Sequence, residues 1–484
     1  MALSRRDFVQ RSAVAGAGVV LVGAVDVLAT APGALAADER GDGEGVRAGY
    51  GPLVEDPAGL LALPAGFSYR VVTRTGVTSL VSGESTPSNH DGTAAFEGER
   101  GATVLVNNHE LGGPRASWPY PVPLAEGLVY DPAASGGCTV VELPRHWPEG
   151  GPVTERVAIA GTSTNCAGGT TPWGTWLTCE ETEDRAGVNG MTKDHGYVFE
   201  VDPREHTPRH APQPVKALGR YPHEAVVVDP GRGHFYLTED AANPNGLLYR
   251  WTPPAGFRPG RGQLAELAPD AGMLQAFRCF DSGGRFVDDL SRATRIGTVY
   301  GVDWIEVPDR DARQTSVRKQ FAAGQVTRAR KLEGMWWADG GAYIVSSYAR
   351  AESPAQHDGA VWFYNPSRRT LTLKLLLGVN TTPAADGPDG PFDGPDNITV
   401  SPYGGLIVAE DGEGVQHLFG ALEDGRTYPL ARNDLNIGTE QAPEYSEFTG
   451  VTFSPDGRTL FANIQVPGIM LAITGPWRRQ PGDC

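Results

Sequence analysis

A short unit recurs six times along the 484 residues, and this repetition constrains the fold more than any other feature of the chain. Each copy has a polar start, an apolar or aromatic strand, a turn, a second apolar strand and a polar end. The copies read NHDGTAAFEGERGATVLVNNHE (89–110), NCAGGTTPWGTWLTCEE (165–181), PHEAVVVDPGRGHFYLTED (222–240), LEGMWWADGGAYIVSSY (332–348), DNITVSPYGGLIVAEDG (396–412) and FTGVTFSPDGRTLFANIQ (448–465). Turns such as DPGRG, ADGG and SPDGR supply the Gly, Asp and Pro that tight hairpins demand. A third short strand follows each pair: CTVVELP, GYVFEVDP, GLLYRWTP, GAVWFYNP, GVQHLFGAL and GIMLAITGPW. Three strands repeated six times predict an all-β chain folded as a six-bladed β-propeller. Copies three and four are the most widely separated, so residues 251–330 are read as an insertion over one face of a single domain spanning 37–484.

The 63 Gly and 39 Pro fit many short strands and tight turns better than helices. A formal charge of −17 without a basic stripe argues against nucleic acid or an anionic membrane as partner, and so many carboxylates suit cations. Arg5-Arg6 before Phe8, a weakly apolar stretch and then Ala34-Leu35-Ala36 form a twin-arginine signal peptide over residues 1–36. This leader places the mature, monomeric protein outside the cytoplasm of a bacterium, secreted or in the cell envelope and free of the membrane after cleavage. Cys138, Cys166, Cys179, Cys279 and Cys484 contain no CxxC pair, which excludes a zinc ribbon or a thioredoxin motif. An odd thiol outside the cytosol needs protection, and a metal is one protector.

In an antiparallel hairpin the start of the first strand lies beside the end of the second, so the polar ends of all six units meet at one rim. Aligning the second strands by their apolar runs gives the column Asn108, Glu180, Glu239, Ser347, Glu410 and Asn463. The opposing column is Asp91, Cys166, Glu224, Glu333, Asn397 and Thr449. Each of these acids alone would be a solvated strand end, and Cys166 a buried or disulfide-bonded thiol. Crowded around one opening, unpaired carboxylates would raise one another's pKa values, and bound cations resolve the conflict. The ring therefore proposes Asp91, Cys166, Glu180, Glu224, Glu239, Glu333 and Glu410 as metal ligands, with His223 orienting Glu224. Carboxylate oxygens suit calcium and a thiolate suits iron, so a mixed cluster is expected.

The leader together with TNCAGGTTPWGTWLTCEE, GRYPHEA, LEGMWW and FTGVTFSPDGRTLFANIQVPG resembles the PhoX family of secreted alkaline phosphatases over most of the mature chain. That resemblance implies a six-bladed propeller holding iron and calcium, with Cys166 on iron, and hydrolysis of small-molecule phosphate monoesters. It also implies a basic residue near the LEG motif that grips the phosphoryl group. The family pattern has Arg two residues before Glu333, where this chain has Lys331, which keeps the charge but loses the bidentate fork. The expected machinery is metal-assisted hydrolysis with Lys331, Asn108 and Glu333 at the reacting phosphate. A serine nucleophile is not expected, because no GxSxG occurs. Two alternatives share the carboxylate ring: a calcium-only propeller hydrolase of lactonase or phytase type, and a non-catalytic binding propeller stabilised by metal.

Overall fold

A computed structural model describes residues 48–205, 211–347, 358–378 and 389–481. The leader, Cys484 and the segments between these ranges lie outside the described residues. Every element is a strand or a three-residue 3-10 turn, and there is no α-helix among the described residues. No helix there is long and apolar enough to cross a membrane.

The six sequence units are all present as antiparallel hairpins. Their first strands are His90–Glu97, Asn165–Thr170, His223–Val228, Leu332–Ala338, Pro395–Val400 and Phe448–Phe453, and these follow one another around a closed ring. The second strands are Thr103–His109, Trp176–Glu180, Phe235–Glu239, Gly341–Ser346, Leu406–Glu410 and Thr459–Ile464. The hairpin at Asp339-Gly340 shows why the turn chemistry matters. Both residues have positive φ, 54° and 72°, the left-handed pair that a two-residue hairpin of right-handed twist requires.

The arrangement is propeller-like, but among the described residues it is built from five sheets, not six. Units 3 and 4 share one ten-stranded sheet because Val299–Glu306 pairs with Met273–Phe280 on one side and with Thr370–Leu376 on the other. Both the outer strand Met273–Phe280 and the bridge fall within 251–330, so this stretch contributes sheet as well as surface. A fourth strand was not legible in the sequence for most units; it is Thr154–Thr162 in unit 1 and Thr427–Asn433 in unit 5. In unit 6 the fourth strand comes from the other end of the chain, where Ser68–Arg74 pairs with Ile469–Thr474.

Six apolar clusters fill the seams between neighbouring units. Representative members are Phe96 with Trp176 between units 1 and 2, Tyr236 with Trp362 between 3 and 4, and Phe448 with Ile407 between 5 and 6. Each buried Leu, Ile or Phe contributes about 1.5–3 kcal/mol on transfer from water, so the seams hold the ring together without a central core.

Candidate metal centre and active site

Every first strand carries a β-bulge near its start. In unit 1, His90 pairs with His109 and Thr93 with Asn107, so Asp91 and Gly92 together face Asn108. The same irregularity sits at Cys166-Ala167, Glu224-Ala225, Glu333-Gly334 and Asp396-Asn397, and one residue later in phase at Gly450-Val451. A bulge re-aims a side chain, and in five units the first bulge residue is an acid or a thiol. In four of these five units the second is Gly or Ala, and at the two glycines the reason is steric. A Cβ on Gly92 would lie 2.7 Å from the Ala167 Cα, and one on Gly334 would lie 2.7 Å from the Asp396 carbonyl oxygen.

Potential ligand atoms converge in three overlapping groups: Cys166, Glu181 and Glu224; Glu224, Glu333 and Asp396; and Asp396, Asp411 and Glu447. Within each group these atoms can all lie within 4.8 Å of one another. Asp91 and Glu110 border the groups, joined through Gln465, whose Nε2 donates to Glu110 Oε2 at 2.7 Å and to Asp91 Oδ2 at 3.3 Å. The only lysine in this company is Lys331, with Nζ 2.9 Å from Glu333 Oε1 and 3.8 Å from Asp411 Oδ2. Lys331 has φ +40°, a conformation that an L side chain adopts at a cost of order 1 kcal/mol.

The electrostatics show what this donor set lacks. Burial, and then the neighbouring negative charges, push the carboxyls of Asp91, Glu224 and Glu447 well above the usual range. Burial does the same to Glu333, against the pull of Lys331, and raises Asp396 to about 7. The Cys166 thiol is pushed up by burial and then by Glu224, Glu181, Asp91 and Glu110. Burial would lower the Lys331 pKa, but Glu333, Asp240, Asp411 and Asp396 more than offset it. One ammonium cannot neutralise this many carboxylates. Divalent cations can, and the hard oxygens with one thiolate fit calcium and iron.

Four of the sequence-derived ligands, Asp91, Cys166, Glu224 and Glu333, lie at this mouth. Glu180, Glu239 and Glu410 do not. Successive strand residues point to opposite faces, and each of these three turns inward to lock its own hairpin. Glu180 accepts from the amides of Ser163, Gly196 and Tyr197 and contacts His195 Nδ1 at 2.6 Å. Glu239 accepts from the Tyr249 hydroxyl at 2.6 Å and from Arg318 at 3.0 Å. Glu410 accepts from the amides of Asp393 and His417 and contacts His417 Nδ1 at 2.9 Å. The next residue in each case, Glu181, Asp240 or Asp411, lies on the side of the mouth.

Asn108 also has another task. Its Nδ2 donates to the carbonyls of Cys166 and Ala167, both at 2.8 Å, while its Oδ1 accepts from Cys138 Sγ and Trp176 Nε1, both at 2.9 Å. With both ends of its amide engaged, it braces the Cys166 bulge and offers no donor to a substrate. His223 stacks on Tyr221 with ring centroids 3.7 Å apart and contacts the Gly219 carbonyl, so it packs behind Glu224.

A family model described as alkaline phosphatase PhoX matches residues 48–468. The chain belongs to the PhoX alkaline phosphatase family, and it is a phosphatase by that membership. Its fold is similar to that of Pseudomonas fluorescens PhoX in complex with vanadate, a transition-state analogue. The TM-score is 0.62 at 18% identity, over 86% of this chain and 96% of that one. A gluconolactonase from Xanthomonas campestris aligns at a TM-score of 0.39 and 12% identity, over 90% of this chain and 99% of that one. No curated protein matches the sequence.

Proposed function

We propose that this PhoX-family chain is an exported phosphatase that hydrolyses small-molecule phosphate monoesters at a calcium and iron cluster. The mouth holding the cluster belongs to a six-bladed propeller whose third and fourth blades are fused by an outer strand. The observation that carries the reading is the convergence of Cys166, Glu181, Glu224, Glu333, Asp396, Asp411 and Glu447 in three overlapping groups, with the Lys331 ammonium beside Glu333 and Asp411.

Cys166, Glu181 and Glu224 are the residues suited to iron, because only this group contains a soft donor. The all-oxygen groups, Glu224 with Glu333 and Asp396, and Asp396 with Asp411 and Glu447, suit calcium. When bound, the cations supply Lewis acidity toward the phosphoryl oxygens and an activated water. The chain's own part is positioning. Bulges fix Cys166, Glu224, Glu333 and Asp396 in place before substrate arrives, and preorganised charge of this kind accounts for much of the stabilisation of a charged transition state. Lys331 is the residue that meets the phosphoryl group, its ammonium held at the mouth by Glu333 and Asp411. It acts as a point charge, without the two-pronged geometry of an arginine. The Arg5-Arg6 leader supplies export, and a substitution of both arginines by lysine is expected to keep the protein in the cytoplasm.

Elemental analysis of the purified protein, with turnover of p-nitrophenyl phosphate, tests the reading. Iron and calcium are expected together, with a visible charge-transfer band from the Cys166 thiolate on Fe³⁺. Cys166→Ser should bleach the band and remove most activity, whereas Cys138→Ser and Cys279→Ser should not. A colourless, iron-free and fully active protein would overturn the mixed cluster in favour of calcium alone.

A further inference from the structure

Two of the inward-turned carboxylates sit at the head of the same chain of groups, built in different units from unrelated segments. In unit 2, Glu180 Oε1 contacts His195 Nδ1 at 2.6 Å, and His195 Nε2 lies 3.3 Å from Asp131 Oδ2. In unit 5, Glu410 Oε2 contacts His417 Nδ1 at 2.9 Å, and His417 Nε2 lies 3.4 Å from Asp389 Oδ1. The far acids are fixed in turn: Asp131 accepts from the amides of Ala133, Thr192 and Lys193, and Asp389 from Arg432 at 2.9 Å. Both histidines are buried, at 0% and 3% exposure. Neither is among the residues that converge at the mouth. Both stand close to the start of their unit's third strand, which pairs with the strand ending in the doublet.

Unit 3 shows that the place needs a donor and not a histidine as such. There the third strand supplies the Tyr249 hydroxyl to Glu239, and Arg318 takes the remaining oxygen. In all three units the acid that follows, Glu181, Asp240 or Asp411, continues from a carboxylate that cannot rotate. A strand end is the part of a hairpin most given to fraying, and a ligand placed one residue beyond it would otherwise share that freedom.

We propose that His195 and His417 are positioning residues of the metal centre: each clamps the inner acid of a doublet so that the outer acid, Glu181 or Asp411, is held at the mouth. This proposal rests on reading the mouth as a cation site. The histidines touch neither substrate nor cation and act through Glu180 and Glu410. The load falls on Nδ1, the nitrogen that meets the doublet.

That asymmetry provides the test. Asn places an amide N–H where Nδ1 stands, and Gln places one where Nε2 stands. Full-length mature protein is stripped with a chelator and titrated with calcium by calorimetry for the wild type, His195→Asn, His195→Gln, His417→Asn and His417→Gln. The melting temperature of each metal-free protein is recorded in parallel. The Asn variants should bind calcium within about threefold of the wild type, and the Gln variants roughly 10–100-fold more weakly, the usual cost of losing an outer-shell partner. Gln variants that bind as tightly as the wild type overturn the proposal, whether or not their melting temperature falls, because packing alone would move only the latter. If a Gln variant does not fold, Asp131→Asn or Asp389→Asn loosens the same histidine more gently and is held to the same outcome. A wild type that takes up no calcium would instead sink the cation reading itself, before any variant is compared.

Discussion

Glu180 and Glu181, or Glu410 and Asp411, are adjacent acids with opposite tasks. The inner member of each doublet is buried among its own hairpin's amides and never meets a cation. The outer member joins other potential ligands at the mouth. The difference comes from the two-residue period of a strand, not from residue type, and it separates two kinds of dependence. On the proposed cation reading, inner acids hold the fold whether or not metal is present, whereas outer acids crowd the mouth until metal arrives.

Substitution at the point of heaviest sharing should give the largest effect. Glu224, like Asp396, belongs to two of the three ligand groups, and it joins the thiol group to the all-oxygen ones, so Glu224→Ala is expected to reduce kcat/KM by more than about 100-fold and to lower bound metal. In metal-free protein the same change should raise the melting temperature, because one of the crowded charges is gone. A fall in both forms would place Glu224 with the inner acids. Glu180→Ala should behave oppositely, costing about 3–5 kcal/mol of stability with and without metal, since it strands three amides and His195. Chemical denaturation of chelator-treated and metal-loaded protein reads this directly, and a loss confined to the loaded form would erase the distinction.

Lys331 sharpens the comparison from the cationic side. Lys331→Ala should lower kcat/KM by roughly 10–100-fold with metal content unchanged, and Lys331→Arg should retain or raise activity. Equal activity in all three proteins would remove Lys331 from the site. The smallest effect is expected at Glu155, a hidden acid far from any doublet that accepts from Thr86 and Thr139. Burial pushes its carboxyl up to about 7. The folded protein therefore binds a proton that the unfolded chain releases near pH 4.5, so stability falls as pH rises from about 4.5 to 7 and is level above that. Glu155→Gln should abolish this slope, giving a variant that gains up to a few kcal/mol on the wild type between pH 5 and pH 8. Parallel melting curves at the two pH values decide it.

Much of the mouth could be read from the chain because four first strands place the ligand at the bulge with a small residue after it: Asp91-Gly92, Cys166-Ala167, Glu224-Ala225 and Glu333-Gly334. Asp396 is followed by Asn397 and not by a small residue, so that signature does not mark it, and the column falls on Asn397 instead. Aligning the second strands by their apolar runs stops one residue short in units 2, 3 and 5. That slip exchanged Glu181, Asp240 and Asp411 for their inner neighbours, although the doubled acids themselves were visible. Glu447 carried no such mark. It precedes Phe448–Phe453, the first strand of unit 6, whose bulge holds Gly450, and only tertiary structure brings it to Asp396. Six hairpins were legible from their turns. The fusion of units 3 and 4 was not, because Val299–Glu306 alternates no more clearly than the loops around it.

The pairing of Ser68–Arg74 with Ile469–Thr474 has a consequence for the order of events during synthesis. The first ordered strand of the last unit is made near the beginning of translation and must wait for partners almost 400 residues downstream. Contacts of such long sequence separation form late and slowly. Until they form, unit 6 lacks its outer strand. On the proposed cation reading, full occupancy of the mouth waits for this pairing, and removal of a few residues from either strand is expected to be felt first as a failure to retain metal.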